Sequence, residues 1–240
     1  VSYTQLDRGH LIATVARLQE RIRERFPSAG LLAVAGDLRA VVERHAARSA
    51  SIRRPVWRLR LFSASLLAIG LGLVAWLAIT VGTGAAGTTA ATDWHESVQT
   101  IEAIVSMLFL LGAAAIFVAS LELRHKRRRC LEALHELRAL AHIVDLHQLT
   151  KDPDLALQGR DEAAAAEQPL PPFLLARYLD YCSEMLSLIG KVGALYAQDF
   201  PDPQAVDAVD DIEDLTTGLS RKIWQKIMIL TSPGSGSAGA

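Results

Sequence analysis

Apolar and polar positions follow one another along this chain in two distinct ways. From Leu61 to Val81, and again from Ile101 to Leu121, apolar residues run on almost without interruption, whereas elsewhere they recur every three or four positions. A continuous run of this length predicts a helix apolar on every side, able to cross a bilayer core of roughly 30 Å at about 1.5 Å per residue. The recurring pattern predicts amphipathic helices that bury one stripe each.

The stripes give the order of elements. Leu11, Val15, Leu18 and Ile22 predict a first helix, closed by Pro27, Ser28 and Gly30; Leu31, Val34, Leu38, Val41 and Val42 predict a second, ending near Ser49. A helix starting near Trp94 meets no Gly or Pro after Gly112 until Lys151-Asp152-Pro153. The second apolar run is therefore expected to continue as one rod, on the order of 80 Å long at about 1.5 Å per residue. In its later part Leu134, Leu137, Leu140, Ala141 and Val144 form the apolar stripe. Leu175, Tyr178, Leu179, Cys182, Leu186 and Ile189 predict a helix over Phe173 to Gln198. Val206, Val209, Ile212, Leu219, Ile223 and Ile227 predict another over Gln204 to Leu230, with Pro201-Asp202-Pro203 turning between them. No β-alternation of useful length is present.

Charge orients this frame. Arg53, Arg54, Arg58 and Arg60 precede the first run, and Arg124, Lys126, Arg127, Arg128 and Arg129 follow the second, while the connection from Gly82 to Ser97 has no Lys or Arg. The positive-inside bias places both termini in the cytoplasm and the connection outside. Trp57 and Trp94 fall where indoles anchor at the interface; Trp76 is expected deeper. Polar and amphipathic chain, roughly 60 residues of it, precedes the first run, so a cleaved signal peptide is not expected there.

The expected fold class is thus all-α: an integral membrane protein with two transmembrane helices and a cytoplasmic helical bundle, the second transmembrane helix continuing as a long cytoplasmic helix. Its parts are an N-terminal hairpin at 1–54, a transmembrane hairpin at 55–123 with a short outside loop at 82–97, and a cytoplasmic extension at 124–151. A mobile linker at 152–172, a C-terminal hairpin at 173–230 and a flexible tail at 231–240 complete it. The location expected is the plasma (inner) membrane, multi-pass.

A formal net charge of -1 leaves no global field for nucleic acid, so charge acts locally. Cys130 and Cys182 read as reduced packing residues, too isolated for a disulfide framework or a zinc site. Asp207, Asp210, Asp211, Glu213 and Asp214 precede Arg221, Lys222 and Lys226 in the last helix, the order its dipole prefers, so the acidic block needs no metal. There is no Gly-rich phosphate loop, Gly-x-Ser-x-Gly elbow or His-Glu-x-x-His. No catalytic residue, metal or cofactor is expected.

Three groups of residues are candidates for function. His95, Gln99, Glu102 and Ser106, spaced by four, three and four, share one helical face that continues through Phe109 and Ala113. In a homo-oligomer they would ring an outer mouth and pore; in a lone hairpin Glu102 would simply reach headgroup water. His135, Arg138, His142 and Asp145 form a polar stripe on the cytoplasmic rod, readable as a subunit contact or as an ordinary solvated face. Arg124, Lys126, Arg127, Arg128 and Arg129 mark topology and are placed to meet lipid headgroups. Ala64, Ala68 and Gly72, and Ala115 with Ala119, repeat small residues at every fourth position and predict close helix contact.

Thr80-Val81-Gly82-Thr83-Gly84 resembles the filter of potassium channels, but the residues before it are consumed by the first run, with none left for a pore helix. The leading functional expectation is a homo-oligomeric inner-membrane channel or pore, gated or assembled through its cytoplasmic helices. The alternative is a membrane-anchored scaffold or sensor that recruits a cytoplasmic protein, and a membrane-bound enzyme using His135, His142 and Asp145 comes last. Expected partners are the lipid bilayer, further copies of the chain and a cytoplasmic protein, not nucleic acid.

Overall fold

The computed structural model describes residues 5–53, 57–85, 94–151 and 170–231. Among them every regular element is helical: α1 (Arg8–Arg25), α2 (Gly30–Arg53), α3 (Trp57–Ala85), α4 (Trp94–Leu149), α5 (Pro172–Asp199) and α6 (Pro203–Thr231). They fall into two compact units. One comprises the chain up to Arg53 and from Arg127 onward; the other lies between, from Arg54 to Lys126, and α4 contributes to both.

Local chemistry sets the helix ends of the first unit. The Asp7 side chain accepts the His10 amide at 3.0 Å and caps α1, and the Phe26 amide closes it onto Ile22 O before Pro27. Pro172 and Pro203 open α5 and α6, where the missing amide costs nothing. The Phe200 amide bonds Tyr196 O to end α5 ahead of Pro201.

Five helical segments then share one core. Gln19 accepts from Arg39 and Arg8 reaches Ser49, so α1 and α2 are antiparallel. Arg8 pairs with Asp199, Arg21 with Glu184, and Phe26 meets the rings of Tyr178 and Tyr181 edge-on, which sets α5 antiparallel to α1. Along α4 the contacts with α6 run Arg127 to Asp202, Arg138 to Asp211 and Gln148 to Lys226, a parallel register. The predicted stripes are the buried ones: Leu11, Val15, Leu18 and Ile22 of α1, Leu134, Leu137, Leu140, Ala141 and Val144 of α4, and all six named positions of α5. In α6 Val206 is only half-buried, and Ala205 and Thr216 face the core beside the predicted residues. Burial pushes the thiols of Cys130 and Cys182 up to about 11 and about 12, as befits inert packing residues.

The second unit is a hairpin with the opposite surface. On α3 the covered positions are Ser63, Leu67, Gly70 and Val74; on α4 they include Ile104, Met107, Leu111, Ala114, Ala115 and Val118. A Cβ at Gly70 would collide with the Leu111 side chain, so this glycine is where the helices approach. Ala64, Ala68 and Gly72 are instead exposed, and nothing lies within 4 Å of where a Cβ on Gly72 would point. Ala115 is partly covered and Ala119 exposed, and the close approach of α3 and α4 lies at Gly70; a helix apolar on every side carries no periodicity to identify its packing face. Leu61, Phe62, Ile69 and Trp76 of α3, with Ile101, Val105, Phe109 and Ile116 of α4, stand exposed. The stretch Ile101–Leu149 contains the one helix among the described residues long and apolar enough to cross a membrane, and Arg60–Trp76 is a shorter apolar stretch.

Three boundaries differ from those read in the sequence. α2 runs on to Arg53 rather than stopping near Ser49, whose hydroxyl turns back onto Ala46 O. Both ends of the loop expected at 82–97 are helical, since α3 continues to Ala85 and α4 begins at Trp94, while 86–93 lie outside the described residues. Thr80 to Gly84 are therefore helical, which removes the filter likeness. The expected linker and tail fall mainly on 152–169 and 232–240, outside the described residues.

Candidate functional site

The stripe read from His95 to Ala113 lies on α4. Gln99, Glu102, Ser106, Phe109 and Ala113 are all exposed, Phe109 at 77%. None coincides with the covered Ile104, Met107 and Leu111 positions, so α3 leaves this face open. The His95 side chain lies outside the described residues. Were this face set against lipid, a carboxylate on it would cost roughly 2.5–3.5 kcal/mol at mid-membrane and less near the rim. At the other end of the hairpin Glu122 is already served, with Lys126 Nζ at 3.1 Å and Arg60 Nε at 3.5 Å.

The basic cluster divides. Lys126 serves Glu122, and Arg128 donates to Glu132 at 2.9 Å on an exposed face. Arg127 points its fork at Asp202, Nε to Oδ1 at 2.9 Å and Nη2 to Oδ2 at 2.6 Å. Asp202 is buried and also accepts the Ala205 amide at 3.3 Å, so one carboxylate caps α6 and ties it to α4. The Arg127 guanidinium holds that carboxyl below its ordinary range. Arg124 and Arg129 remain exposed.

The polar stripe read on the later part of α4 is also dispersed by its partners. Arg138 donates to Asp211 at 3.0 Å, and Asp145 accepts from Gln148 Nε2 at 2.6 Å on its own helix. His135 lines a recess of only about 70 Å³ with Arg138 and Asp211, and His142 is exposed. Among the described residues no three His, Cys, Asp or Glu side chains gather to hold a metal ion.

The sequence reading missed a buried polar network. His45 is fully buried, with Nε2 at 2.8 Å from Glu136 Oε2 and Nδ1 at 3.0 Å from the Tyr196 hydroxyl. Arg48 donates to the second Glu136 oxygen at 3.2 Å. A carboxylate can only accept, so Nε2 carries the proton and Nδ1 accepts from Tyr196, which defines the neutral tautomer. Burial lowers the pKa of His45 against the opposing pull of Glu136. Burial alone would raise Glu136, but the bonds from His45 and Arg48 outweigh it and keep it low. Burial also raises the Tyr196 phenol. One proton arrangement thereby joins α2, α4 and α5. Its signal was in the sequence, because His45 continues the Leu31, Leu38 and Val42 stripe where an apolar residue is expected.

Comparison with protein-family models, with curated proteins and with solved structures yields no match for this chain.

Proposed function

We propose that the chain is a two-span, homo-oligomeric channel of the plasma (inner) membrane, with both termini cytoplasmic and its helical bundle assembling or gating the pore. The observation that carries this reading is the open polar face of α4: Gln99, Glu102 and Ser106 are exposed on the side α3 does not cover, in a hairpin whose other exposed residues along this stretch are largely apolar. A second copy and a water-filled lumen would serve Glu102 along with Gln99 and Ser106, whereas a lone hairpin serves Glu102 only through headgroup water at the rim. The exposed apolar residues of both helices supply the lipid-facing surface. Phe109, Ala113 and Ile116 continue the face as an apolar constriction suited to gating by dewetting.

Purified protein in planar bilayers is the test. Discrete conductance steps are expected, with cation preference reduced in Glu102→Gln; oligomers that pass no ions at any potential or pH refute the reading. Exposed Trp224 and Met228 on α6 favour the second reading, a membrane-anchored scaffold, since such side chains anchor protein contacts. Under that reading the full chain stays impermeable, and Trp224→Ala abolishes capture of a specific partner.

A further inference from the structure

We propose that the outer stripe of α4 within the bundle is the surface on which a second copy of the chain docks, the two α4 helices lying side by side, parallel and in register. Glu132, His135, Ala139, His142, Leu146 and Leu149 are all exposed and are spaced by three, four, three, four and three. That alternation is the seam a second helix needs in order to run alongside, whereas a globular partner imposes no such period. The outer faces of α1 and α6 are polar instead, with His10, Arg17 and Glu24 exposed on one and Asp207, Asp214 and Arg221 on the other.

The stripe is polarised, and this selects the direction of the partner. It begins with Glu132, countered on its own helix by Arg128 at 2.9 Å, and ends with Leu146 and Leu149, flanked by Ile143. Pairing in register sets leucine against leucine; an antiparallel partner would set Leu149 against Glu132 and bury a carboxylate on an apolar surface. The homo-oligomer proposed above, on which this inference rests, supplies the parallel arrangement, because copies sharing one membrane and one topology carry their α4 helices the same way. Area selects a tethered partner over a free one. Ile143, Leu146 and Leu149, at 45%, 62% and 60% exposure, with Ile229 of α6 at 45%, open on the order of 400 Å² of apolar surface per copy, about half of the roughly 800 Å² that each side of a stable interface commits. Ile229 lies one turn beyond Lys226, which donates to Gln148 O at 3.0 Å next to Leu149, so it belongs to the same end of the bundle. A seam this short holds free proteins poorly, but copies already joined through their hairpins meet at a high effective concentration.

The full chain, its two buried native cysteines left in place, is reconstituted in liposomes as the Leu146→Cys protein and oxidised with copper phenanthroline. Disulfide-linked dimers are expected at a yield at least fivefold above that of Arg17→Cys, which carries its thiol on the outer face of α1. Adding Leu149→Glu to Leu146→Cys should remove most of that yield; both positions are exposed, so the bundle itself should tolerate the changes. When Leu146→Cys and His135→Cys proteins of different tag length are mixed, the two homodimers should form and the mixed dimer should not. The proposal is overturned if Leu146→Cys crosslinks no better than Arg17→Cys, if Leu149→Glu leaves the yield unchanged, or if the mixed dimer prevails. Conductance of the same liposomes separates this inference from the channel reading: crosslinked dimers that pass no ions keep the seam and remove the channel, whereas conductance without the Leu146→Cys crosslink removes the seam alone.

Discussion

Within α4 one continuous backbone carries two opposite surfaces. From Ile101 to Phe117 its large apolar residues mostly stand exposed, and only a narrow seam meets α3. From Cys130 to Val144 its apolar stripe is buried and its charged residues lie outside, paired with Asp211, Arg128 or Arg48. The bundle also pairs nearly all the polar side-chain atoms it buries; among the described residues only Gln148 Oε1 is left without a bond. The same helical geometry thus carries two kinds of surface. In the bundle water drives burial of one stripe, whereas in the hairpin the outer surface is itself apolar, and packing depends on close approach at Gly70.

The sharpest way to break this contrast is to truncate equally apolar residues in each unit. Leu186→Ala, in the fully buried centre of α5, should destabilise the bundle by about 2–5 kcal/mol, while Ile69→Ala on the outer face of α3 should stay within about 0.5 kcal/mol. Chemical denaturation in detergent measures both, and similar losses would show that the hairpin surface is packed after all. Next in size is Gly70→Val, expected to cost about 1–3 kcal/mol by overpacking against Leu111, while Gly72→Val costs almost nothing. Equal tolerance at the two glycines would displace the seam from Gly70.

The smallest effect concerns pH and belongs to the bundle alone. His45 has its folded pKa below the ordinary 6.5, chiefly through burial, so the unfolded chain binds the extra proton. The stability it contributes is full above about pH 6.5 and is lost as pH falls through the lowered value. The facing groups are Glu136 on α4, Arg44 and Arg48 on α2 and Tyr196 on α5, and Glu136, held low, adds a further loss only below its ordinary 4.5. Thermal unfolding at about pH 7.5 and about pH 5.5 should differ in the parent and much less in His45→Phe. An identical slope in both proteins would remove His45 from the account.

Much of this was legible in the sequence for a physical reason. Amphipathic spacing reports the buried face wherever water is the alternative, so the stripes of α1, α4 and α5 could be read before any contact was known. His45 could have been found by the same rule, as a polar residue on an apolar stripe. Asp202 could not, because Pro-Asp-Pro announces a turn and a cap but not the arginine, 75 residues distant, that binds it.

What the amino-acid order determined by itself is therefore local: helix type, the two apolar runs, and the shared helical face from Gln99 to Ala113, all of which depend on neighbours within a turn or two. Only the tertiary structure decided which face of α3 packs, that Arg127 serves Asp202 inside the bundle, and that His45 is held between Glu136 and Tyr196. Those outcomes depend on pairs far apart in the chain, and hydropathy spacing carries no record of which distant side chain will arrive.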